Sequence, residues 1–515
     1  MTRTRDVVIV GGGHNALVAA AYLAGAGRSV TLLERQHHLG GAAISAEVFP
    51  GVEARLSRYS YLVSLLPERI RRDLRLDVEL ARRRYSSYTP LPGTDRGLLV
   101  DTGDAEATAA SFASVGAASD VPGWAAFGDD TARIAGALWP TITDPLLTRA
   151  EVRRAVGDDR VWAELVEAPI GQTVERRFAD DLVRGVVLTD ALIGTFAPAV
   201  EPSLAANRCF LYHVIGGGTG HWDVPVGGMG AVSGALVRAA RAAGAELLTE
   251  AEVTSLTPDG DVVYRLGDEE HRMAGRVVLS GVAPSVLAGL LGEDAERPEG
   301  AQVKVNLLLA RLPRLRDASV DPVAAFAGTF HVHEGFGALD AAHAAASAGR
   351  IPAPLPLESY CHSLTDPGIL SPELRAAGAQ TLTVFALQTP DRLLDGRDAD
   401  AARAELQTAV LRSLDSVLAE PIEDVLLRDA SGDPCIETAT TRDLEHSLNM
   451  PGGNIFHGPL SWPWAEDDEP LGSAAERWGV ATDHARILLC GSGSRRGGAV
   501  SGLGGYHAAM AVLEG

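Results

Sequence analysis

The strongest chemical signal in the sequence is a glycine-rich turn near its start. Gly11-x-Gly13-x-x-Ala16 stands between the apolar segment 6–10 (DVVIV), which predicts a strand, and an alanine-rich segment that predicts a helix. Gly11 would make the turn, Gly13 would let phosphates approach the helix amides, and Ala16 would keep helix and strand close. Glu34 follows about 20 residues later, where a carboxylate accepts hydrogen bonds from an adenosine ribose. The pattern predicts a dinucleotide site.

Two further glycine-rich segments separate NAD from FAD as the dinucleotide. Gly40 and Gly41 form a second turn shortly after Glu34 that would let the backbone pass close to a cofactor. The chain ends on a strand, a glycine loop and a helix, and a simple NAD-binding domain does not require the loop 491–505. These two features favour FAD.

Lys304 is the single lysine of the chain, because arginine takes every other position of this charge type. The segment 303–309 (VKVNLLL) predicts a strand with Lys304 and Asn306 on one face. A compact ammonium there would hydrogen-bond water or a flavin nitrogen, which the planar fork of arginine could not do. A surface lysine without a function is an equally good interpretation.

Other candidates for chemistry lie close together near the C-terminus. His457 could act as an acid or base beside a substrate, although a packed histidine satisfied by backbone is the better interpretation. Phe456, Trp462 and Trp464 could wall an apolar pocket that faces the flavin. Core packing explains these aromatic residues equally well.

A short histidine segment raises the question of a metal. His331 and His333, with Glu334 beside them, would share a face if the segment is a strand, because alternate strand residues point the same way. No third clustered ligand is visible in the sequence, and a stable site needs at least three. The sequence therefore predicts no metal.

Composition and charge exclude several classes of protein. The formal charge of −22 opposes binding to phosphate backbones and anionic lipid, so we expect no nucleic-acid partner and at most transient membrane contact. The arginine runs at 69–72 and 82–84 predict solvated helix faces. The cysteines form no CxxC pair, and neither a signal peptide nor an apolar run of about 20 residues is visible, so the expected location is the cytoplasm.

The elements that must position these residues predict an α/β fold. Strand, turn, helix and strand follow one another at the start, and the same alternation returns in the middle and at the end of the chain. Mixed helical patterns between them predict a separate cap. The sequence thus predicts a discontinuous Rossmann-type FAD-binding domain of residues 1–75, 215–300 and 470–515, with an inserted α+β substrate-binding domain of residues 76–214 and 301–469.

Both ends of the chain resemble one protein family. DVVIVGGGHNALVAAAYLAGAGRSVTLLERQHHLGGAA at the start and LLCGSGSRRGGAVSGLGGYHAAMAVL at the end resemble phytoene desaturase and phytoene dehydrogenase-related flavoproteins. Between them, VGGMGAVSGAL, AEVTSL, KVNLLL, DPGILSP and GGNIFHGPLSWPW occur in the order expected of the subgroup that includes the pyridine nucleotide-disulfide oxidoreductase domain-containing proteins. The resemblance covers most of the chain and specifies the family far better than the substrate.

The resemblance also implies which residues contact FAD. It places Gly11, Gly13 and Ala16 at the pyrophosphate and Glu34 at the ribose, with Arg35 as a further cofactor-binding residue. Gly40 and Gly41 would lie beside the middle of the cofactor, and Val253 would cover the adenine. Gly491, Val500 and Ser501 would contact the ribityl chain and the ring. Two departures stand out. Ala16 takes a place where the family usually has glycine, and Ser494-Arg495-Arg496 replaces a Thr/Ala-His-Pro type of stretch close to the expected flavin.

The function implied by the resemblance is hydride transfer between an apolar substrate and flavin N5, with a carbon–carbon double bond introduced or reduced. Lys304 and His457 are the catalytic candidates, and we expect an extended apolar substrate in a tunnel between the two domains. A polar amine would need a fixed counter-ion that the sequence does not locate. Flavin-dependent isomerisation and a redox-inactive scaffold stay open as alternatives.

Overall fold

The computed structural model describes residues 3–515. Most of its strands belong to two sheets of seven strands each. In chain order the strands are β1 (Arg3–Val10), β2 (Val30–Leu33), β3 (Ser45–Glu47), β4 (Arg55–Ser57), β5 (Leu80–Ala81), β6 (Tyr85–Pro90), β7 (Gly97–Asp101), β8 (Val224–Pro225), β9 (Glu246–Leu248), β10 (Ala251–Leu256), β11 (Asp261–Leu266), β12 (Glu269–Ser280), β13 (Val303–Leu309), β14 (Thr329–Val332), β15 (Leu357–Tyr360), β16 (Gln380–Ala386), β17 (Ile436–Ala439) and β18 (Ile487–Leu489).

The first sheet is built around β1, whose segment 7–10 is buried on both faces, as a parallel strand covered by helices requires. Its strand order is β10-β11-β12-β1-β2-β9, and β18 also pairs with β12. β1 runs parallel to β2 and β12, and β18 runs parallel to β12. Strands from both ends of the chain therefore lie in the same sheet.

The second sheet has the strand order β17-β13-β16-β15-β14-β6-β7. Its strand β13 is buried at every position and contains Lys304, which confirms the strand predicted for residues 303–309. β13, β16, β15 and β14 pair antiparallel in succession. The predicted α/β fold, a Rossmann-type sheet joined to a second α+β unit, is confirmed. The domain boundaries stay a prediction.

The helices cover the sheets and form a separate layer between residues 105 and 214. They are α1 (His14–Gly25), α2 (Glu68–Asp73), α3 (Ala105–Ser114), α4 (Val121–Leu138), α5 (Arg149–Val156), α6 (Asp159–Trp162), α7 (Ile170–Arg177), α8 (Asp181–Thr189), α9 (Ala205–Val214), α10 (Met229–Ala242), α11 (Pro284–Leu291), α12 (Pro322–Ala327), α13 (Phe336–Ser347), α14 (His362–Thr365), α15 (Pro372–Ala376), α16 (Ala399–Asp415), α17 (Thr441–Leu448), α18 (Ala474–Arg477) and α19 (Leu503–Glu514).

The first and the last long helices pack directly on each other. Gly505 of α19 lies so close to α1 that a Cβ added there would come within 1.7 Å of the Asn15 carbonyl oxygen. The Asn15 side chain donates a hydrogen bond of 2.7 Å to the Gly497 carbonyl. The C-terminal glycine loop is thereby fixed over the N-terminus of α1.

None of the helices described between residues 3 and 515 combines the length and the apolar character that crossing a membrane requires.

Gly505→Ala is expected to lower the free energy of unfolding by about 1–3 kcal/mol, because the new methyl group forces α1 and α19 apart. Gly289→Ala is the matched control, since Gly289 is an exposed helical glycine of α11 with open space around it. The control should keep or raise stability, by up to about 1 kcal/mol. Chemical denaturation measures both, and equal stability of the two variants would contradict the close packing.

Candidate functional site

A cleft opens at the N-terminus of α1, where the glycine pattern Gly11-x-Gly13-x-x-Ala16, called the fingerprint below, lies. Gly11 adopts φ +90°, a conformation that favours glycine, and its amide donates to the Leu33 carbonyl. Gly13 precedes the first helical residue, and a Cβ added to it would meet no atom within 4 Å. No side chain caps the helix N-terminus. Its amides therefore face open space, as an anion-binding site requires.

Glu34 lies at the edge of this cleft, directly after β2. Its carboxylate accepts hydrogen bonds from the amides of Gly12, at 2.7 Å, and Gln36, at 2.8 Å. Burial raises the pKa of Glu34, while the hydrogen bonds from the Gly12 and Gln36 amides lower it in part. Each carboxylate oxygen keeps a further acceptor position for a hydroxyl group.

The cleft has a volume of about 150 Å³ and collects most of the predicted cofactor residues. They are Gly11, Gly13, Ala16, Glu34, Arg35, Gly41, Val253 and Gly491. Gly40 does not line the cleft, but its amide donates to the Gly12 carbonyl and so fixes the second turn against the first. Ala16 faces Gly281 at the end of β12, and an added Cβ on Gly281 would stand 3.2 Å from the Ala16 methyl.

A second and larger cavity, of about 430 Å³, adjoins the cleft. Ala42, Leu448 and Met450 line both spaces, so the two are adjacent. Lys304 and Val500 line the larger cavity. Much of its wall is apolar, and the large apolar side chains include Trp124, Phe127, Val187, Phe210, Trp222 and Phe385.

The C-terminal loop contributes less to these spaces than the resemblance implies. Ser501 is fully buried, and its hydroxyl accepts from the Leu503 amide instead of facing either space. Arg496 donates to the carbonyls of Thr141 and Asp144, and Arg495 contacts the Trp464 carbonyl. Arg496 thus binds the helical layer, Arg495 binds the segment that packs on it, and neither arginine lines the cleft or the larger cavity.

The three aromatic residues near His457 divide between two roles. Phe456 lines the larger cavity. Trp464 is fully buried, stacks on Trp462, and packs on Trp162 in the core of the helical layer. The two tryptophans therefore pack the core, and Phe456 alone of the three faces the cavity.

His457 faces the cleft, together with His14, and does not line the larger cavity. Burial lowers the pKa of each imidazole to about 4, so both are neutral at pH 7. His14 Nε2 and His457 Nδ1 have no hydrogen-bond partner among the described residues. Each of these two residues thus has one buried polar atom without a partner, and a catalytic role for His457 stays a prediction.

Lys304 is 3% exposed and lies where β13 meets the residues that follow the β3–β4 hairpin. Its Nζ donates to the carbonyls of Ser57, at 2.9 Å, and Tyr59, at 2.7 Å. It also lies 4.7 Å from the centre of the Tyr61 ring. Burial lowers the Lys304 pKa to about 7. The surface-residue interpretation is therefore wrong for this lysine.

Sequence reasoning missed an acidic group at the far end of the same cavity. Glu358 and Asp190 line it, together with His331, and Glu358 stands directly opposite His331 on the neighbouring strand. Glu358 is 1% exposed and accepts a hydrogen bond from the Tyr360 hydroxyl. A charged residue inside the short apolar strand LESY was the one available signal.

His331 and His333 do not share a face, as they would if both lay in one strand. β14 ends at Val332, and His333 takes φ +54°, so its ring turns away and contacts Ser416. His331 instead contacts Glu334, and Glu358 completes a group whose ligand atoms all lie within 4.8 Å of one another. A third candidate ligand therefore exists, contributed by a strand that the sequence could not pair with this one.

Gly13→Val should remove the bound dinucleotide without unfolding the protein, because the new side chain meets no protein atom and fills the space before the α1 amides. Mass spectrometry of the ligand released on denaturation measures the loss, and the melting temperature checks the fold. Gly25→Val, at the exposed end of the same helix, is the matched control and should retain the dinucleotide. Full retention by Gly13→Val would place the dinucleotide elsewhere.

Lys304 should titrate near pH 7, whereas an ordinary lysine titrates near pH 10.4. Protein labelled with ¹³C at lysine Cε gives one side-chain lysine signal, because the chain has one lysine. Since the folded pKa lies below the unfolded one, the unfolded state binds more protons between these values, and this lysine's contribution to stability rises with pH. A Cε shift that moves only above pH 9 would contradict the burial.

Comparison with known proteins identifies the family. A model of NAD(P)-binding Rossmann-like domains matches residues 9–68. An uncharacterized protein of Mycobacterium tuberculosis is 58% identical over an alignment of 524 positions, which covers 99% of this chain and 97% of that protein. Among solved structures, a mutant of putrescine oxidase aligns with a TM-score of 0.60 and 17% identity over 100% of both chains, which shows a shared fold.

A named relative gives the assignment. Pyridine nucleotide-disulfide oxidoreductase domain-containing protein 2 of Rattus norvegicus is 30% identical over 570 residues, covering 99% of this chain and 93% of that protein. Agreement over nearly the whole of both chains includes the cleft, the cavity and the helical layer. The chain therefore belongs to the pyridine nucleotide-disulfide oxidoreductase domain-containing protein 2 family.

Proposed function

We propose that this protein is an FAD-dependent oxidoreductase that exchanges a hydride with a largely apolar substrate. The observation that carries the proposal is that the dinucleotide cleft and the larger cavity are adjacent and share Ala42, Leu448 and Met450 as lining residues. A dinucleotide could place its adenosine half in the cleft and extend its other half toward the cavity. A substrate in the cavity would then meet the redox-active end.

The residues of the cleft fit such a cofactor. The open space at Gly13 suits a pyrophosphate, and the free acceptor positions of Glu34 suit ribose hydroxyls. His14 Nε2 and His457 Nδ1 are buried polar atoms without partners among residues 3–515, and a bound cofactor would offer them some. Gly41 and Val500 would hold the middle and the ring end. When bound, FAD supplies a hydride acceptor at N5.

Lys304 is the residue best placed to hold or move a proton. The ammonium form has three N–H groups, and two of them are used by the Ser57 and Tyr59 carbonyls. Loss of the third proton would leave both bonds intact and put a lone pair in its place. With a pKa of about 7, Nζ can therefore donate or accept at the cavity without rearrangement.

The more specific part of the proposal concerns which bond of the substrate is oxidised. Oxidation would break a carbon–hydrogen bond, pass its electron pair and hydrogen to the flavin, release a proton from the neighbouring carbon, and leave a carbon–carbon double bond. The apolar part of the cavity wall supports a hydrocarbon body. The resemblance to phytoene desaturases supports the same chemistry.

The purified protein should be yellow and should release FAD, not FMN or a nicotinamide, when it is denatured. This follows from the shared lining of the cleft and the cavity. Anaerobic mixing with a panel of linear polyenes, acyl chains, amines and amino acids should bleach the flavin stoichiometrically when the panel contains a substrate. A colourless protein that takes up no added FAD would refute the proposal, and conversion of a substrate without flavin reduction would favour isomerisation.

Lys304→Met should keep the FAD content near that of the wild type but slow flavin reoxidation by dioxygen, after dithionite reduction, by about tenfold or more. The reason is the loss of the proton held at Nζ. Lys304→Arg is the comparison variant, because it keeps a charge but has a much higher pKa. We expect the wild-type rate to change near pH 7 and both variants to lack this step. An unchanged rate and pH profile in Lys304→Met would exclude the role.

A further inference from the structure

One row of side chains crosses the second sheet beneath the larger cavity. Strand register places Lys304 of β13 opposite Phe385 of β16, Phe385 opposite Glu358 of β15, and Glu358 opposite His331 of β14. All four line the cavity. With strands about 4.8 Å apart, the row is about 14 Å long. It puts a lysine at one end of the cavity and an acidic group at the other.

The acidic end has more carboxyl groups than cations to balance them. Asp190, Glu334 and Glu358 lie there with His331, which contacts Glu334. Arg83 is the one nearby guanidinium among the described residues and lines the same cavity; it donates to the Trp222 carbonyl and the Thr329 hydroxyl, and its charge offsets only part of the acidic group. No ion pair of Asp190 or Glu358 occurs within the described range of the chain. Such a group is costly to bury unless a cation joins it.

The titration behaviour of the group agrees with this imbalance. Burial raises the pKa of Glu358 to about 8 and that of Asp190 to about 6. The titratable and charged groups that act on Glu358 are Glu334, His331, Tyr360 and Asp190, and Arg83, which lines the same cavity, also interacts with it. Glu358 therefore holds a proton at neutral pH even with Arg83 nearby, and ionises when a further cation joins it.

We propose that the acidic end of the cavity, formed by Glu358 and Asp190, binds the protonated amino group of a substrate whose apolar body lies along the aromatic wall. An ammonium group offers three N–H donors, and the two carboxylates that line the cavity are matching acceptors. Tyr61 and Tyr360, with ring centres 4.8 Å apart, border the same space.

A divalent metal is a weaker interpretation of the same group. Glu334 does not line the cavity, and its carboxylate is engaged with His331. The Tyr360 hydroxyl occupies one oxygen of Glu358. The side chains of Glu358 and Asp190 that face the cavity thus open toward a space of about 430 Å³ with an apolar wall, which is far larger than an ion and suits an amine with a hydrocarbon chain.

The inference names the substrate class of the proposed oxidoreductase and so depends on that proposal. Calorimetric titration of the purified protein with n-octylamine, 1-octanol and octanoate at pH 7 compares three polar head groups on the same kind of apolar chain. The FAD content of each preparation is measured separately. A protein that carries FAD but does not prefer the amine refutes this inference alone, whereas a protein without FAD refutes the proposed function.

We expect the amine to bind about 10- to 100-fold more tightly than the alcohol, and octanoate to bind most weakly. Glu358→Gln should abolish this preference while preserving the fold, because Gln can still accept from the Tyr360 hydroxyl. Amine binding should release a proton in the wild type, since the ammonium favours ionised Glu358, and should release much less in Glu358→Gln. Titration in buffers of different ionisation enthalpy measures this.

Asp317→Asn is the matched control, because Asp317 is a buried carboxyl group that accepts from Tyr88 and does not line the cavity. It should keep the preference for the amine. If Glu358→Gln fails to fold, Asp190→Asn provides the same test. Equal affinity for the three heads, an unchanged preference in Glu358→Gln and Asp190→Asn, or a stoichiometric divalent metal that Glu358→Gln loses would each overturn the inference.

Discussion

The contact between α1 and α19 is the constraint on which both candidate spaces depend. The absence of a side chain at Gly505 lets the helices meet at backbone distance, and the Asn15 to Gly497 hydrogen bond then fixes the last loop over the first turn. The cleft lies at the N-terminus of α1, and Val500 of the same loop lines the cavity. Residues from the two ends of the chain must therefore come together before either space exists.

Local patterns allowed the first sheet and most of the cleft to be predicted from the sequence. The fingerprint at Gly11 and Gly13, the acid at Glu34, and the closing strand near Ile487 are each encoded within a few neighbouring residues, so turn, helix and strand signals suffice. The strand that contains Lys304 was found in the same way. The structure then gave this lysine a buried site that its rarity alone could not establish.

The acidic end of the cavity could not be predicted, because it depends on which strands pair. Glu358 and His331 are 27 residues apart and meet through antiparallel register, while Asp190 comes from the end of a helix in a different layer. Trp462 and Trp464 show the opposite case. Their sequence left a pocket wall and core packing equally open, and burial in the core of the helical layer decided their position. Long-range packing outweighed local pattern at both places.

The isolation of Lys304 has a practical consequence for handling this protein. Apart from the α-amino group, Lys304 is the only primary amine in the chain, and it is only 3% exposed to solvent. Reagents that target amines will find almost nothing to modify on the folded surface, so cross-linking or immobilisation must use carboxyl groups or arginines. Conversely, a reagent small enough to enter the cavity and react with an amine would mark a single internal position.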